Sequence, residues 1–390
     1  MPCFPLSWIG FGAVILAPLF AMLCRAPDMQ IFGVMPGVTW PELSWRNVAS
    51  EHYAHTATDV FEQHMGLRGV YTHLGNSVRY HAFGETRPSY GPQVGQGGVL
   101  FHSEDLIFYS QKKALLPSTN ELNENVKTLA KLQRDLAQRG QALVPVLTPG
   151  KAALYPSQMK PSQRLDSARA DGRPESDVWV YDALTSALEA AGVRYVDARA
   201  LLTRGPYPVE RVWGREGRHW THFGACIVVR DVRVKYTEVT QKPLADYPCV
   251  LDASSSQDML HSDYDLLRLM NVWGVPPHSA SEPNVVHPGI GAGATGPSLF
   301  TIGTSFFETL AWDAAYSQSF RSVQMNYYNR RIFHVFPEGE ALVALPHSEA
   351  WRAATHGKDL YVLDMFEVYF PGAYMKEFLT EFGADMGPPP

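Results

Sequence analysis

Leu299-Phe300-Thr301-Ile302-Gly303-Thr304-Ser305-Phe306-Phe307 is an apolar run of strand length that passes through Gly-Thr-Ser into a helical stretch. A serine at such a strand-to-helix turn stands at the carboxyl edge of a sheet. Neighbouring backbone N–H groups and the helix N-terminus can there face a developing oxyanion. Gly303 permits a tight turn. The same residues suit a plainer purpose, since Thr304 or Ser305 can simply cap the helix that follows.

Outward from this turn the pattern repeats. Asn120 to Gly140 reads as a helix, capped by Thr119 or Asn120, with Leu122, Val126, Leu129 and Leu132 along one face and Gly140 as the stop. Ala142–Leu147 (ALVPVL) follows as a buried strand. A helix over Val178–Ala191 leads through Gly192 into Val193–Val196, and Leu360–Leu363 is a further strand. Alternation of helix, glycine and strand is the signature of an α/β sheet with parallel strands. Upstream, apolar residues three and four apart predict a helix from Glu51 to Arg79, and Thr86–Gly98 reads as loop. Pro276–Pro297, rich in Gly, Pro and Ser, reads as a long irregular loop.

The 390-residue chain is 45% hydrophobic and 18% charged, the composition of a globular protein. Its net charge of −6 and the lack of a basic run exclude a nucleic-acid binder. An anionic polymer would need a local groove of Arg and Lys. Leu6–Leu23 carries no charge over 18 residues and lies at the short limit for a bilayer span, which takes about 20. We read residues 1–25 as a signal anchor or signal peptide, 26–50 as a linker and 51–380 as the functional domain. Cys226 and Cys249 can pair as a disulfide in an exported protein or stay as buried thiols. No CxxC or HExxH motif supports a metal site, and no cofactor is implied.

The second chemical segment is Glu216-Gly217-Arg218-His219-Trp220-Thr221-His222-Phe223-Gly224-Ala225. His219 suits a general base, because its ordinary pKa lies near working pH. His222 falls on the same side of a helix, so a metal pair has to be weighed, but no third ligand stands nearby. A satisfied structural histidine is the bland alternative for either residue.

Taken together, HWTHFGA and the downstream GTSF resemble the alginate O-acetyltransferase AlgJ/AlgX family, whose catalytic domain is similar to the SGNH hydrolases in permuted order. Further likeness lies in Val94-Gly95 with Gly97–Phe101, and in Val144-Pro145 through Pro149-Gly150-Lys151-Ala152-Ala153-Leu154-Tyr155-Pro156. Gly192 through Asp197, Asp265–Leu269, and Asp359 through Glu367 complete it. The resemblance implies a three-layer SGNH hydrolase-like α/β domain with a mainly parallel central sheet, preceded by an N-terminal membrane segment. It implies a periplasmic O-acetyltransferase that acetylates exopolysaccharide hydroxyls through an acetyl-serine, with Ser305 as nucleophile and His219 as base. Donor delivery by a membrane-bound O-acyltransferase partner at the inner membrane is implied as well.

One position departs from the family. Its Asp-x-His-Trp pattern places Gly217 where an aspartate belongs, and Glu216, one residue away and longer, is expected to orient His219. Lys151 and Tyr155 are expected at the rim of the cleft, since ligands of open α/β sheets bind beyond the carboxyl ends of strands. Asn326, Asn329, Arg330 and Arg331 read as oxyanion donors or glycan contacts, or as an ordinary solvated loop. Two other functions use the same residues: a carbohydrate acetylesterase with water as acceptor, and a glycan-binding scaffold in which Gly217 marks an impaired site.

Overall fold

Seven residues, Ala142–Thr148, are all buried, with odd and even side chains packed on opposite faces. A strand covered on both sides is the mark of a sheet between helical layers. This strand is β1 of seven; the others are β2 (Val196–Asp197), β3 (Ser298–Gly303), β4 (Ser322–Tyr327), β5 (Arg331–Phe336), β6 (Ala341–Ala344) and β7 (Leu360–Phe366). Their order is β6-β5-β4-β3-β7-β1-β2. The run from β4 to β2 is parallel, while β5 and β6 extend the β4 side antiparallel. The sheet is therefore mixed. The antiparallel edge, strung on tight turns, carries no helix–glycine signal in the sequence.

Helices cover both faces, the main ones being α1 (Thr119–Gln138), α2 (Val180–Ala190), α3 (His222–Thr240), α4 (Phe306–Tyr316) and α5 (Ala373–Asp385). Ala142, Val144 and Val146 share a core with α3 and α4. Leu143 and Leu147 face α1, α2 and α5. In α1 the buried residues Leu122, Val126, Leu129, Leu132 and Leu136 form the expected stripe. Gln133 on the same helix completes the sheet where β2 is too short. Its amide donates to Leu143 O (2.7 Å) and Arg194 O (2.8 Å) and accepts from Arg194 N (2.9 Å). That arrangement tolerates Pro145 in a central strand, on the side where no ladder bond is available to lose.

The computed structural model describes residues 6–33, 39–40, 42–48, 51–86, 91–111, 119–163, 180–258, 263–278, 281–289, 296–337, 339, 341–344, 348–369 and 373–385. The chain forms two compact units, residues 1–94 with 266–276, and residues 95–265 with 277–390. Residues 51–94, read from sequence as the start of the functional domain, cluster with the first unit. The helix expected from Glu51 to Arg79 is two helices, Glu51–His64 and Arg68–Phe83, broken where Leu67 takes a left-handed φ of 60°. Helix Leu6–Leu23 also belongs to this unit, and Val14, Ile15, Leu16, Leu19, Phe20 and Leu23 on it are exposed. Among the described residues no helix is long and apolar enough to cross a membrane.

The expected Pro276–Pro297 loop contains a strand, Ser281–Val286, paired antiparallel with Val250–Asp258. Cys226 on α3 and Cys249 beside that ribbon are joined by a disulfide. Reduction, or Cys249→Ser, is expected to lower the unfolding free energy by about 3 kcal/mol, the chain-entropy value for a cross-link of this span. Urea titrations with and without reductant measure it, and equal midpoints would show that the bond contributes nothing.

Candidate active site

The turn after β3 is built around a buried carboxylate. Asp364 of β7 accepts from Thr304 N (3.0 Å), Thr304 Oγ1 (2.6 Å) and Thr148 Oγ1 (2.7 Å). Burial raises its pKa to about 6 against the pull of those hydroxyls. Gly303 is required by crowding rather than by an unusual φ. A Cβ there would lie 2.5 Å from Asp364 Cβ and 3.1 Å from Phe307. With Thr304 turned onto Asp364, Ser305 is left at the head of α4 and makes no side-chain cap bond. The capping alternative therefore does not describe Ser305.

Its Oγ instead lies 2.8 Å from His219 Nε2, although 86 positions separate the two residues. The other ring nitrogen, Nδ1, lies 2.8 Å from Asp265 Oδ2, and Asp265 Oδ1 accepts from Arg218 N at 2.7 Å. The imidazole edge rests on Phe306, ring centroids 4.6 Å apart. Serine, histidine and aspartate thus form a continuous line in which Asp265 fixes the tautomer that leaves Nε2 facing the hydroxyl.

This corrects the expectation for Glu216. Its carboxylate takes the backbone N–H of His278 at 3.1–3.2 Å instead. Asp265 was legible only as one residue of a short Asp-Leu segment, and nothing in the sequence spacing ties it to His219.

Lys151 and Tyr155 are not rim residues either. Both are buried, at 0% and 3% exposure, and both hold the loop that carries His219. Lys151 Nζ donates to Gly214 O (2.8 Å), Arg215 O (2.7 Å) and Gly217 O (2.6 Å), and Tyr155 Oη donates to Trp213 O (2.5 Å). Burial pushes the lysine pKa down to about 7, while Asp265, Asp105 and Glu216 pull it back up. Three carbonyl acceptors match the three N–H donors of an ammonium, and a neutral amine has only two.

The same loop is clamped from its other end. Trp213 and Trp220 form an antiparallel bridge, and Trp213 Nε1 donates to Arg218 O at 3.0 Å. Arg218 pairs with Glu104 (3.0 Å) and the buried Asp105 (3.3 Å). Thr221 caps α3 by accepting from Gly224 N, and a Cβ on Gly224 would strike Val212 O at 2.2 Å. Tight approach to this loop explains the Gly-Ala after the histidines. His222, the first residue of α3, tilts against Tyr316, and burial lowers its pKa.

Asn326 and Asn329 are buried and bonded to each other, Nδ2 to Oδ1 at 2.9 Å. They brace the hairpin between β4 and β5, where Tyr328 and Asn329 have φ of 51° and 54°. Arg330 N closes a β-turn on Tyr327 O at 2.9 Å, with both central φ positive, inside a three-residue loop that pairs Tyr327 with Arg331. Neither asparagine presents itself to a glycan. The Arg330 side chain is exposed and lies 3.6 Å from Glu377.

Glu367, just past β7, accepts from Gly150 N at 2.7 Å and lies 3.9 Å from Arg199. Cys226, His287 and Asp313 have ligand atoms within 4.8 Å of one another, but the Cys226 sulfur is spent in the disulfide and Asp313 accepts from Tyr247 Oη.

Residues 93–259 match the family model of the SGNH hydrolase-like domain of acetyltransferase AlgX. That stretch is similar to the AlgX acetyltransferase domain. The match takes in His219, Lys151 and Tyr155 and stops short of Asp265 and Ser305. The probable alginate O-acetylase AlgJ of Pseudomonas aeruginosa is 28% identical over 195 residues, which are 50% of this chain and 44% of that relative. The chain thus spans under half the length of the curated relative it matches. Among solved structures, the O-acetyltransferase domain of Pseudomonas putida AlgJ is 16% identical, over 75% of this chain and all of that one, with a TM-score of 0.42. Pseudomonas aeruginosa AlgX is 14% identical over 71% of this chain and 62% of its own, with a TM-score of 0.40.

Lys151 and Glu367 each give a stability test. Lys151→Met keeps the aliphatic stem but strands three carbonyls. A loss of about 3 kcal/mol or more is expected in urea unfolding, and a loss below 1 kcal/mol (roughly one neutral hydrogen bond) would mean that water replaces the ammonium. For Glu367, burial raises the pKa from 4.5 to about 7. The folded state therefore binds more protons than the unfolded chain between those values, and stability falls as pH rises through that window. Glu367→Gln retains an acceptor for Gly150 N–H and should flatten this slope. Parallel curves of Tm against pH for the two proteins would refute it.

Proposed function

We propose that the chain is an O-acetyltransferase that places acetyl groups on hydroxyls of an exported polysaccharide through an acetyl-Ser305 intermediate. The Ser305–His219–Asp265 line, with both contacts at 2.8 Å, carries this reading. His219 Nε2 takes the Ser305 proton as Oγ attacks the carbonyl carbon of an acetyl donor. The Ser305 backbone N–H, at the N-terminus of the 11-residue helix α4, stands where the tetrahedral oxyanion develops. Collapse breaks the bond to the donor's leaving group, which departs with the proton from His219. In the second half a sugar hydroxyl gives its proton to the same nitrogen and attacks the acetyl-serine; the Oγ–acyl bond then breaks and His219 returns the proton to Ser305 Oγ. Asp265 holds the ring and balances the imidazolium present in both halves.

Export is supported by the Cys226–Cys249 disulfide, since such bonds persist in oxidising compartments. The exposed apolar side chains on helix Leu6–Leu23 support residues 1–25 as a membrane anchor that holds the enzyme at the inner membrane, facing the periplasm. A membrane-bound O-acyltransferase is the donor's source in this reading. The functional domain is the second compact unit. The scaffold alternative drew on Gly217, and Asp265 on the far ring nitrogen removes its motive.

Hydrolysis of an aryl acetate and transfer to an alginate oligosaccharide test the proposal together. Ser305→Ala and His219→Ala should abolish both. Asp265→Asn should cost about 10⁴-fold in turnover, as amide replacement does in the serine protease template, while Glu216→Gln keeps most of the rate. Peptide mapping after an aryl acetate pulse should find one acetyl group on Ser305. Labelling elsewhere, or an unimpaired Asp265→Asn enzyme, would overturn the assignment. Release of acetate without transfer would leave the acetylesterase reading.

A further inference from the structure

On the α4 face of the sheet, Glu308, Ala311 and Trp312 from the helix meet Met325 and Tyr327 of β4 and Arg331, Phe333 and Val335 of β5. They enclose a pocket of about 120 Å³. Its position follows from the topology. β3 and β4 are parallel and β5 is antiparallel to them, so Tyr327 at the end of β4 and Arg331 at the start of β5 lie at one sheet edge. That edge also carries Ser305, because Gly303 pairs with Tyr327 and Glu308 N bonds Ser305 O at 3.2 Å. One lining residue, Glu308, thus lies one helical turn after the nucleophile.

The lining has two kinds of surface. Met325 and Val335 are buried and make an apolar floor. Trp312 and Tyr327, half-buried, supply aromatic walls. Trp312 is held by stacking on Tyr316 at 5.7 Å, and Tyr327 by the edge of Tyr328 at 4.7 Å. Charged groups stand at the mouth, with the Glu308 carboxylate and the Arg331 guanidinium both acting on the Tyr327 phenol. Rigid aromatic walls below a donor–acceptor rim suit a ring that is apolar on its faces and hydroxylated around its edge, which is the chemistry of a pyranose.

We infer that this pocket is the acceptor subsite, in which one pyranose of the glycan packs on Trp312 and Tyr327 while Arg331 and Glu308 hold its peripheral oxygens. The inference rests on the acetyl-transfer reading for the position of Ser305, but binding itself does not depend on that chemistry. The bound ring presents the next hydroxyl along the chain to the acetyl-serine. Arg331 answers the need for a local cation on a chain whose net charge is −6. Association with an anionic glycan weakens with added salt.

The test uses the full chain with Ser305→Ala, so that binding is read without turnover, and titrates alginate oligosaccharide by calorimetry. Trp312→Ala and Arg331→Gln, each added to this background, should weaken binding at least about tenfold (roughly 1.4 kcal/mol). In the Ser305 enzyme the same two substitutions should lower the ratio of glycan transfer to aryl acetate hydrolysis by a similar factor, mainly through the acceptor KM. Arg331 is exposed, so its variant reports even where Trp312→Ala unfolds. Unchanged affinity in both variants, or equal loss of transfer and hydrolysis in Arg331→Gln, would overturn the subsite. If Ser305→Ala retains hydrolysis the acetyl-serine reading falls, while binding that Trp312 and Arg331 control still supports the subsite.

Discussion

A single buried ammonium decides where the histidine stands. Lys151 opens the short helix that follows β1, with no exposed surface, and gathers three carbonyls of the 214–217 loop onto its donors. Removing an ammonium from water is expensive, and only a full set of acceptors offsets that cost. Once those contacts form, the loop has one position relative to the carboxyl end of β1, and His219 two residues on inherits it. Tyr155 adds a fourth tether at Trp213. The base is therefore placed by backbone contacts, which tolerate change in the loop's own side chains.

The nucleophile is placed by a separate carboxylate on the next strand. Asp364 draws in the N–H and hydroxyl of Thr304 and the hydroxyl of Thr148, tying the ends of β3, β7 and β1 together. Gly303 permits that approach because a Cβ would collide with Asp364. Two independent anchors, one cationic and one anionic, thus fix the two halves of the catalytic pair on a shared sheet edge. The 2.8 Å contact between Ser305 and His219 is where the two anchored segments meet.

Much of this was legible in the sequence, because signals confined to a few neighbouring residues survive without the fold. The stripe of α1, the buried runs of β1, β3 and β7, and the Gly-Thr-Ser turn are each local. Glu51–Arg79 failed as one helix because its break at Leu67 is a backbone choice with no proline to announce it. The strand Ser281–Val286 was hidden in a segment rich in loop residues, since pairing with Val250–Asp258 is non-local. Lys151 and Tyr155 were found by resemblance and assigned to the wrong surface. Polar residues beyond a strand end suggest ligand contact, and only the partners reveal that their acceptors are protein carbonyls.

Asp265 shows why the missing carboxylate was beyond reach of spacing. The triad needs an oxygen at Nδ1, and it does not matter which segment brings it. Gly217 lies inside the loop that Lys151 clamps and gives its own carbonyl to that clamp. The carboxylate arrives instead 46 positions after His219, from the first turn of the helix Asp265–Leu269. It is held by Arg218 N, the residue between the clamp and the histidine. Arg218 meanwhile spends its guanidinium on Glu104 and Asp105. Arg218 thus joins the triad aspartate to Glu104 and the buried Asp105, and Asp265 and Asp105 also act on Lys151. Cations and carboxylates alternate through this region, so each charge is neutralised by a neighbour that also positions the histidine. Loss of one member leaves a charge uncompensated in the interior, which couples the orientation of the base to the integrity of the whole loop.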